Sequence, residues 1–335
     1  MFSTRMRTIR RCLLVALLAA LPLPVVLAQD IGRPKRVVLF LSGDPVSGDK
    51  LAELQKRRLA LWAKYGLVEG RDYVETPVWI GSPYWKQVLP RAREVIAGRP
   101  DLILAYSASS VGTLQSVTRE VPIVFWDVAD PVLSGLVETL RRPGGNITGV
   151  SGAQVDSMVK LLEIVKDVRP RARRVAWLTN SAPNDSGEVY VAKIRNRMLT
   201  AAAALGLELV EIAPTVLMNL DAVEKALRAA RADAFVPYAG EVDLVALQNR
   251  TGVPGFGRGA FAVNGGFVAL GGAGQNRDPE QAIEIASRIL RGENPATIPV
   301  RQPSKFQLTV NLKAARALGI EVPASLLIRA DEVIR

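Results

Sequence analysis

The side chains able to do chemistry in this chain are hydroxyls, amides and carboxylates. There is no histidine, and the single cysteine is Cys12. That excludes Ser-His-Asp and Cys-His triads, and zinc, haem or iron–sulfur sites built from their usual ligands. The polar groups that remain fall in short strings, each following an apolar run. In the first half these are Ser42-Gly43-Asp44, Ser107-Ala108-Ser109-Ser110 and residues 127–130. In the second half they are residues 180–185, residues 238–241 and Gly257-Arg258. Such a set binds rather than transforms. Hydroxyls and free N–H groups at a helix N-terminus donate to a carboxylate, and a carboxylate pairs with an ammonium. The candidates for ligand contact are Ser42, Gly43, Ser107, Ser109, Ser110 and Asp130, facing Asn180, Asn184, Tyr238 and Glu241. For the serines, N-capping of the next helix is the competing reading. Asp127, Asp130 and Glu241 are open as an acid–base pair, as a holder of a ligand ammonium, or as helix caps. No trio makes a catalytic site compelling, so neither catalysis, a cofactor nor a metal is expected.

These strings need a scaffold, and the apolar pattern supplies one. Residues 36–41 read RVVLFL, a strand-length run, and residues 49–65 follow with apolar positions at helical spacing, closed by Gly66. Strand and helix then alternate: strands at 72–79, 102–105 and 121–126, helices at 85–97 and 109–118. Residues 146–150, NITGV, read as a short turn-rich connector. A second round has strands at 174–178, 208–212 and 234–237 with helices between them, and an extended segment at 253–256. Fully apolar strands separated by helices predict parallel sheets covered on both faces. The expected class is α/β with two flavodoxin-like (Rossmann-like) lobes, because the rounds correspond. Arg99-Pro100-Asp101-Leu102-Ile103-Leu104-Ala105-Tyr106 matches Arg231-Ala232-Asp233-Ala234-Phe235-Val236-Pro237-Tyr238, and Val121-Pro122 matches Val253-Pro254. Strand candidates at 266–270 and 306–310 suggest that the chain returns to the first lobe and crosses again. The expected lobes are 35–150 plus about 264–300, and 151–263 plus about 301–335. Ligands of open α/β sheets bind outside the carboxyl ends of the strands, where the polar strings lie.

The glycine-rich strings GVPGFGRG (252–259) and GGFVALGGAG (265–274) lack the Lys-Ser/Thr of a P-loop. They also lack the strand–helix frame of a dinucleotide fingerprint. They read as loops and hinge-adjacent turns.

Residues 1–28 read as a cleavable secretory signal peptide: four arginines, an uncharged apolar run, then Val26-Leu27-Ala28. The run is too short and too broken by Pro22 and Pro24 for a spanning helix to be preferred. Without its four arginines the chain has 39 basic and 32 acidic residues, a net charge of +7. The basic residues are interspersed with acids, and no nucleic-acid-binding module is visible. The expectation is an exported monomer in the periplasm with a small-molecule ligand and no nucleic-acid partner.

Several strings then carry a resemblance. They are Ser42-Gly43-Asp44-Pro45, Asp130-Pro131-Val132 with Ser134-Gly135-Leu136-Val137, and RPGGNITGVS at 142–151. Toward the end come QPSKF at 302–306, NLKAARALG at 311–319, PASLL at 323–327 and RADEVI at 329–334. Together these resemble the substrate-binding proteins of ABC importers, in the group that includes tryptophan- and tyrosine-binding members. The resemblance implies a type I periplasmic-binding fold with a hinge, a ligand held between the lobes, no catalysis, and an ABC permease in the inner membrane as partner. The segment Asn180-Ser181-Ala182-Pro183-Asn184 departs from the paired Asn-Pro steps common in that group, so ligand identity does not carry over. A ligand-sensing subunit of a signalling system is the alternative reading.

Overall fold

The computed structural model describes residues 32–81, 84–179, 188–212, 219–238, 243–271, 279–303 and 306–335. The signal-peptide expectation and Asn180, Asn184 and Glu241 lie outside the described residues.

The first sheet contains β1 (Lys35–Ser42), β2 (Tyr73–Ile80), β3 (Leu102–Tyr106), β4 (Ile123–Val128) and β5 (Ile147–Ser151). All five run parallel in the order β2-β1-β3-β4-β5. Two helices, α2 (Tyr84–Ala97) and α3 (Ala108–Val117), cover one face through Val88, Ala92, Val111 and Leu114. The other face is covered by α1 (Gly48–Lys64) and by a helix from far along the chain, Glu280–Leu290, through Trp62, Ile283 and Ile289. Central strands buried on both faces explain their unbroken apolar sequence.

One correction concerns β5. Residues 146–150, read above as a connector, form the edge strand of this sheet. Ile147, Thr148 and Val150 suit a strand, and the glycine among them is required by packing. Gly149 has φ +155°, and a Cβ there would drive into the Phe125 backbone of β4.

The second sheet begins after α4 (Gln154–Val168) with β6 (Arg174–Leu178), α5 (Glu188–Ala204), β7 (Glu208–Ile212), α6 (Leu220–Ala229) and β8 (Ala234–Pro237). It continues with α7 (Leu244–Thr251), β9 (Phe256–Arg258) and β10 (Val268–Leu270). The chain then forms α8, the Glu280–Leu290 helix already met, before β11 (Leu308–Asn311), α9 (Leu312–Ala317), α10 (Ala324–Arg329) and β12 (Glu332–Ile334). Strands pair as β7-β6-β8 and β9-β10-β11-β12, and a bridge from Phe235 to Gly255 links the two groups. The pair β10–β11 is antiparallel, a departure from all-parallel lobes.

A second correction concerns the late chain. Strand β10, expected with the first lobe, pairs with β9 and β11 and so belongs to the second sheet. Among the described residues of the late chain, α8 and the segment after it are those that return to the first sheet. There Arg301 extends the edge beside β5, donating N–H to the Gly149 carbonyl (2.9 Å) and accepting from Ser151 N–H (2.8 Å). Its guanidinium is clamped by both carboxylate oxygens of Glu284 on α8. The chain therefore passes between the sheets after β5, after β10 and after Arg301.

The repeat read from sequence has matching geometry. Asp101 accepts from Arg36 N–H at the start of β1 (2.8 Å), and Asp233 accepts from Arg174 N–H at the start of β6 (3.0 Å). Arg99 and Arg231, two residues before each aspartate, both have φ +48°. The glycine-rich 252–259 string is a packing feature. Cβ atoms at Gly255 and Gly257 would collide with the rings of Phe235 and Phe261.

Candidate functional site

The carboxyl edge of the first sheet carries a row of polar residues set by strand register. Phe40 pairs with Ala105, which brings Ser42 level with Ser107. Tyr106 pairs with Trp126, which brings Ser107 beside Asp127. Strand β4 is irregular here: Trp126 faces Val150 and Val128 faces Ser151, so Asp127 is the extra residue of a bulge. Bulges re-aim a side chain at the end of a strand. Ser107 and Asp127 both have left-handed backbone, φ +76° and +57°, which is costly for residues with a Cβ.

Three serines meet at one end of this row. The Ser42 hydroxyl is 3.0 Å from that of Ser110 and 3.5 Å from that of Ser107, and Ser107 lies 3.4 Å from Ser110. Ser107 occupies the N-cap position of α3 yet its side chain makes no cap hydrogen bond. That decides against capping for Ser107: its hydroxyl joins the cluster. Ser110 is fully buried. Ser109 is exposed and stands outside the cluster. Gly43 turns the chain away from the sheet at φ +107°. Asp130 is a turn residue: its carboxylate accepts from Leu133 N–H (2.9 Å).

At the other end of the row the Asp127 carboxylate is held from two sides. Tyr106 Oη donates to one oxygen (2.8 Å) and Gln154 Nε2 to the other (3.0 Å). Tyr106 itself packs against Trp126 with ring centroids 5.5 Å apart. Sequence reading placed Asp127 in the string after the strand at 121–126 and as one of three open carboxylates; the bulge that aims it is invisible in a sequence.

The second sheet brings Tyr238 and Arg258 to the same seam. Arg258, the last residue of β9, donates from Nη2 to the Tyr238 carbonyl (2.7 Å). Burial pushes its guanidinium below the ordinary value, and Tyr238, Asp127 and Tyr106 are the groups whose charges oppose that shift. An Arg of the second sheet is thus in electrostatic reach of an Asp of the first. Sequence reading placed Arg258 at a strand end without singling it out, since it sits within a glycine-rich string. The arrangement offers hydroxyl donors, an oriented carboxylate and a guanidinium, all suited to holding a small polar molecule.

Residues 84–334 match the sequence profile of the family described as ABC transporter substrate binding protein. A tyrosine-binding protein of Clostridioides difficile (strain R20291) is 26% identical over 236 residues, 69% of this chain. The match spans 66%, just under two thirds, of that protein's length. Among solved structures, the ABC domain from Streptococcus pneumonia in complex with L-Trp superimposes with TM-score 0.69 at 22% identity, covering 90% of this chain and 100% of that one. A ligand-free, open substrate-binding protein with adhesive properties from Clostridium difficile gives TM-score 0.57 at 21% identity, covering 90% and 99%. At these identities the structural likeness establishes the fold, the two-lobed type I periplasmic-binding architecture.

Proposed function

Since the chain belongs to the family of ABC transporter substrate-binding proteins, we propose that it is an exported receptor for a small zwitterion with an α-amino-acid head. The observation that carries this reading is the row Ser42–Ser107–Asp127. Hydroxyls of Ser42 and Ser107, held by the buried Ser110, receive the carboxylate with the N–H groups that open α3. Asp127, one strand farther along, receives the ammonium. Neighbouring strands lie about 4.8 Å apart, a spacing that suits two adjoining charged groups on one carbon, each with its own hydrogen bond. The binding of tyrosine by the C. difficile relative and of L-Trp by the S. pneumonia structure supports the same ligand class.

In this reading the protein is a receptor without catalysis. It acts as a monomer in the periplasm and delivers its ligand to a permease of the inner membrane. Substrate-binding proteins of ABC importers are extracytoplasmic, and the leader at residues 1–28 fits that place. N-terminal sequencing of the exported protein should begin at Gln29; a chain still starting at Met1 would contradict cleavage. The ligand itself is tested by mass spectrometry of the protein purified without denaturation. An α-amino acid released on denaturation is the expected result, and a sugar or nucleoside would overturn the assignment.

A further inference from the structure

Asp127 and Arg258 are opposite charges on facing strand ends, and the repeat places them on equivalent turns. The matched strings Arg99–Tyr106 and Arg231–Tyr238 are offset by 132 residues, as are Val121-Pro122 and Val253-Pro254. The same offset pairs Trp126 with Arg258 and Asp127 with Gly259. Backbone agrees: Asp127 has φ +57° and Gly259 +58°. Each sheet therefore ends in the same left-handed turn, loaded with an anion in one lobe and a cation in the other.

Their support differs. The Asp127 carboxylate is oriented by Tyr106 and Gln154. The guanidinium of Arg258 has five N–H donors, of which one meets an acceptor among the described residues, the Tyr238 carbonyl. We propose that Arg258 is the second-lobe anchor for the ligand carboxylate and that closure of the cleft depends on it. This rests on the amino-acid reading above and extends it.

Asp127 acts on Arg258 electrostatically across the seam without pairing with it. A purely cationic ligand takes Asp127 and leaves the half-buried guanidinium without a partner for its charge. A purely anionic ligand meets Arg258 but faces the Asp127 carboxylate. A zwitterion satisfies both, giving each charge a direct partner. First-lobe hydroxyls then hold one carboxylate oxygen while Arg258 reaches the other from the opposite sheet, which draws the lobes together. Arg suits this task because its planar fork matches a carboxylate.

The experiment screens the twenty L-α-amino acids by calorimetry, then compares the tightest with its decarboxylated amine, its deaminated acid and D-galactose. Parent protein, Arg258→Gln, Arg258→Lys and Asp127→Asn are each measured, with radius of gyration from X-ray scattering before and after saturation. For the parent, the amino acid should bind at least tenfold tighter than either analogue or the sugar and should compact the molecule. Arg258→Gln should lose about ten- to a hundredfold in affinity and stay open when saturated; Arg258→Lys should fall between. Asp127→Asn should shift preference toward the deaminated acid, a readout that holds even if Arg258→Gln fails to fold. If the parent binds the amino acid and Arg258→Gln binds and compacts as the parent does, the anchor is wrong while the amino-acid reading stands. Parent protein that binds none of the twenty, or binds the analogues or the sugar equally well, overturns both.

Discussion

The two lobes end their sheets in the same turn, and they equip it differently. In the first lobe Asp127 sits at φ +57° with both carboxylate oxygens already hydrogen-bonded, beside three serines in mutual contact. In the second, Gly259 takes that backbone at no steric cost and the charge is carried one residue earlier by Arg258. The first edge is organised in advance and bears the strain of two non-glycine left-handed residues. The second edge presents a long side chain tethered to one backbone carbonyl. On the proposed reading, the difference sets an order of binding: the first lobe docks the ligand head, and the second closes on it.

The largest expected effect breaks that order at its start. Asp127→Ala removes the ammonium acceptor and leaves Tyr106 Oη and Gln154 Nε2 without their shared partner. Loss of a charged hydrogen bond in a closed cleft costs about 3 kcal/mol, over a hundredfold in affinity. Calorimetry with the native ligand checks it, and parent-like affinity would return Asp127 to a structural role.

Next in size is a test of the scaffold behind the bulge. Gly149→Ala forces a Cβ into the β4 backbone two residues before Asp127. Overpacking of this kind should cost about 2 kcal/mol of stability, read from the urea midpoint. An unchanged midpoint would mean that β4 and β5 shift apart easily, and that the first edge is softer than described. Ser42→Ala is milder. It removes one neutral hydroxyl partner of Ser110 and one ligand donor, about 1 kcal/mol or fivefold in affinity. A loss as large as that of Asp127→Ala would place more of the binding on the serine end.

The smallest effect concerns the last passage between the sheets, pinned by Glu284 on Arg301. The Arg301 hydrogen bond holds the Glu284 carboxyl below its ordinary value of 4.5, against the opposing effect of burial. A depressed carboxylate contributes stability that is present above the unfolded value and lost as pH falls through the folded one. The pair is partly exposed, so its contribution is about 1 kcal/mol or less. The stability gap between parent and Glu284→Gln should therefore be constant above pH 5 and shrink as the pH falls below about 4.5. A gap that widens on acidification would contradict the assignment.

How much of this was legible in the sequence follows from the same residues. Ser42 and the 107–110 serines were found because each follows an unbroken apolar run, and a strand end marks where a polar side chain meets the seam. The two like rounds were legible because Asp101 and Asp233 precede matching runs. Strand β5 was not, since Gly149 and Asn146 read as a turn until the close approach to β4 is seen. The lobe of β10 could not be read, because a three-residue strand states nothing about its partner. Asp127 was read at a strand end but not as the aimed carboxylate, since its register bulge is invisible in a sequence, and Arg258 lay among glycines whose real cause is the Phe261 ring. Register and the cross-seam neighbours of a charge are long-range facts that local pattern does not encode.

The measurement that bears most directly on the account is a crystal structure with the copurified ligand bound. The expected structure has the ligand ammonium on the Asp127 carboxylate, and its carboxylate between the Ser42 and Ser107 hydroxyls and the Arg258 guanidinium. A ligand seated away from this row, or a headgroup with its charges reversed along it, would contradict the account.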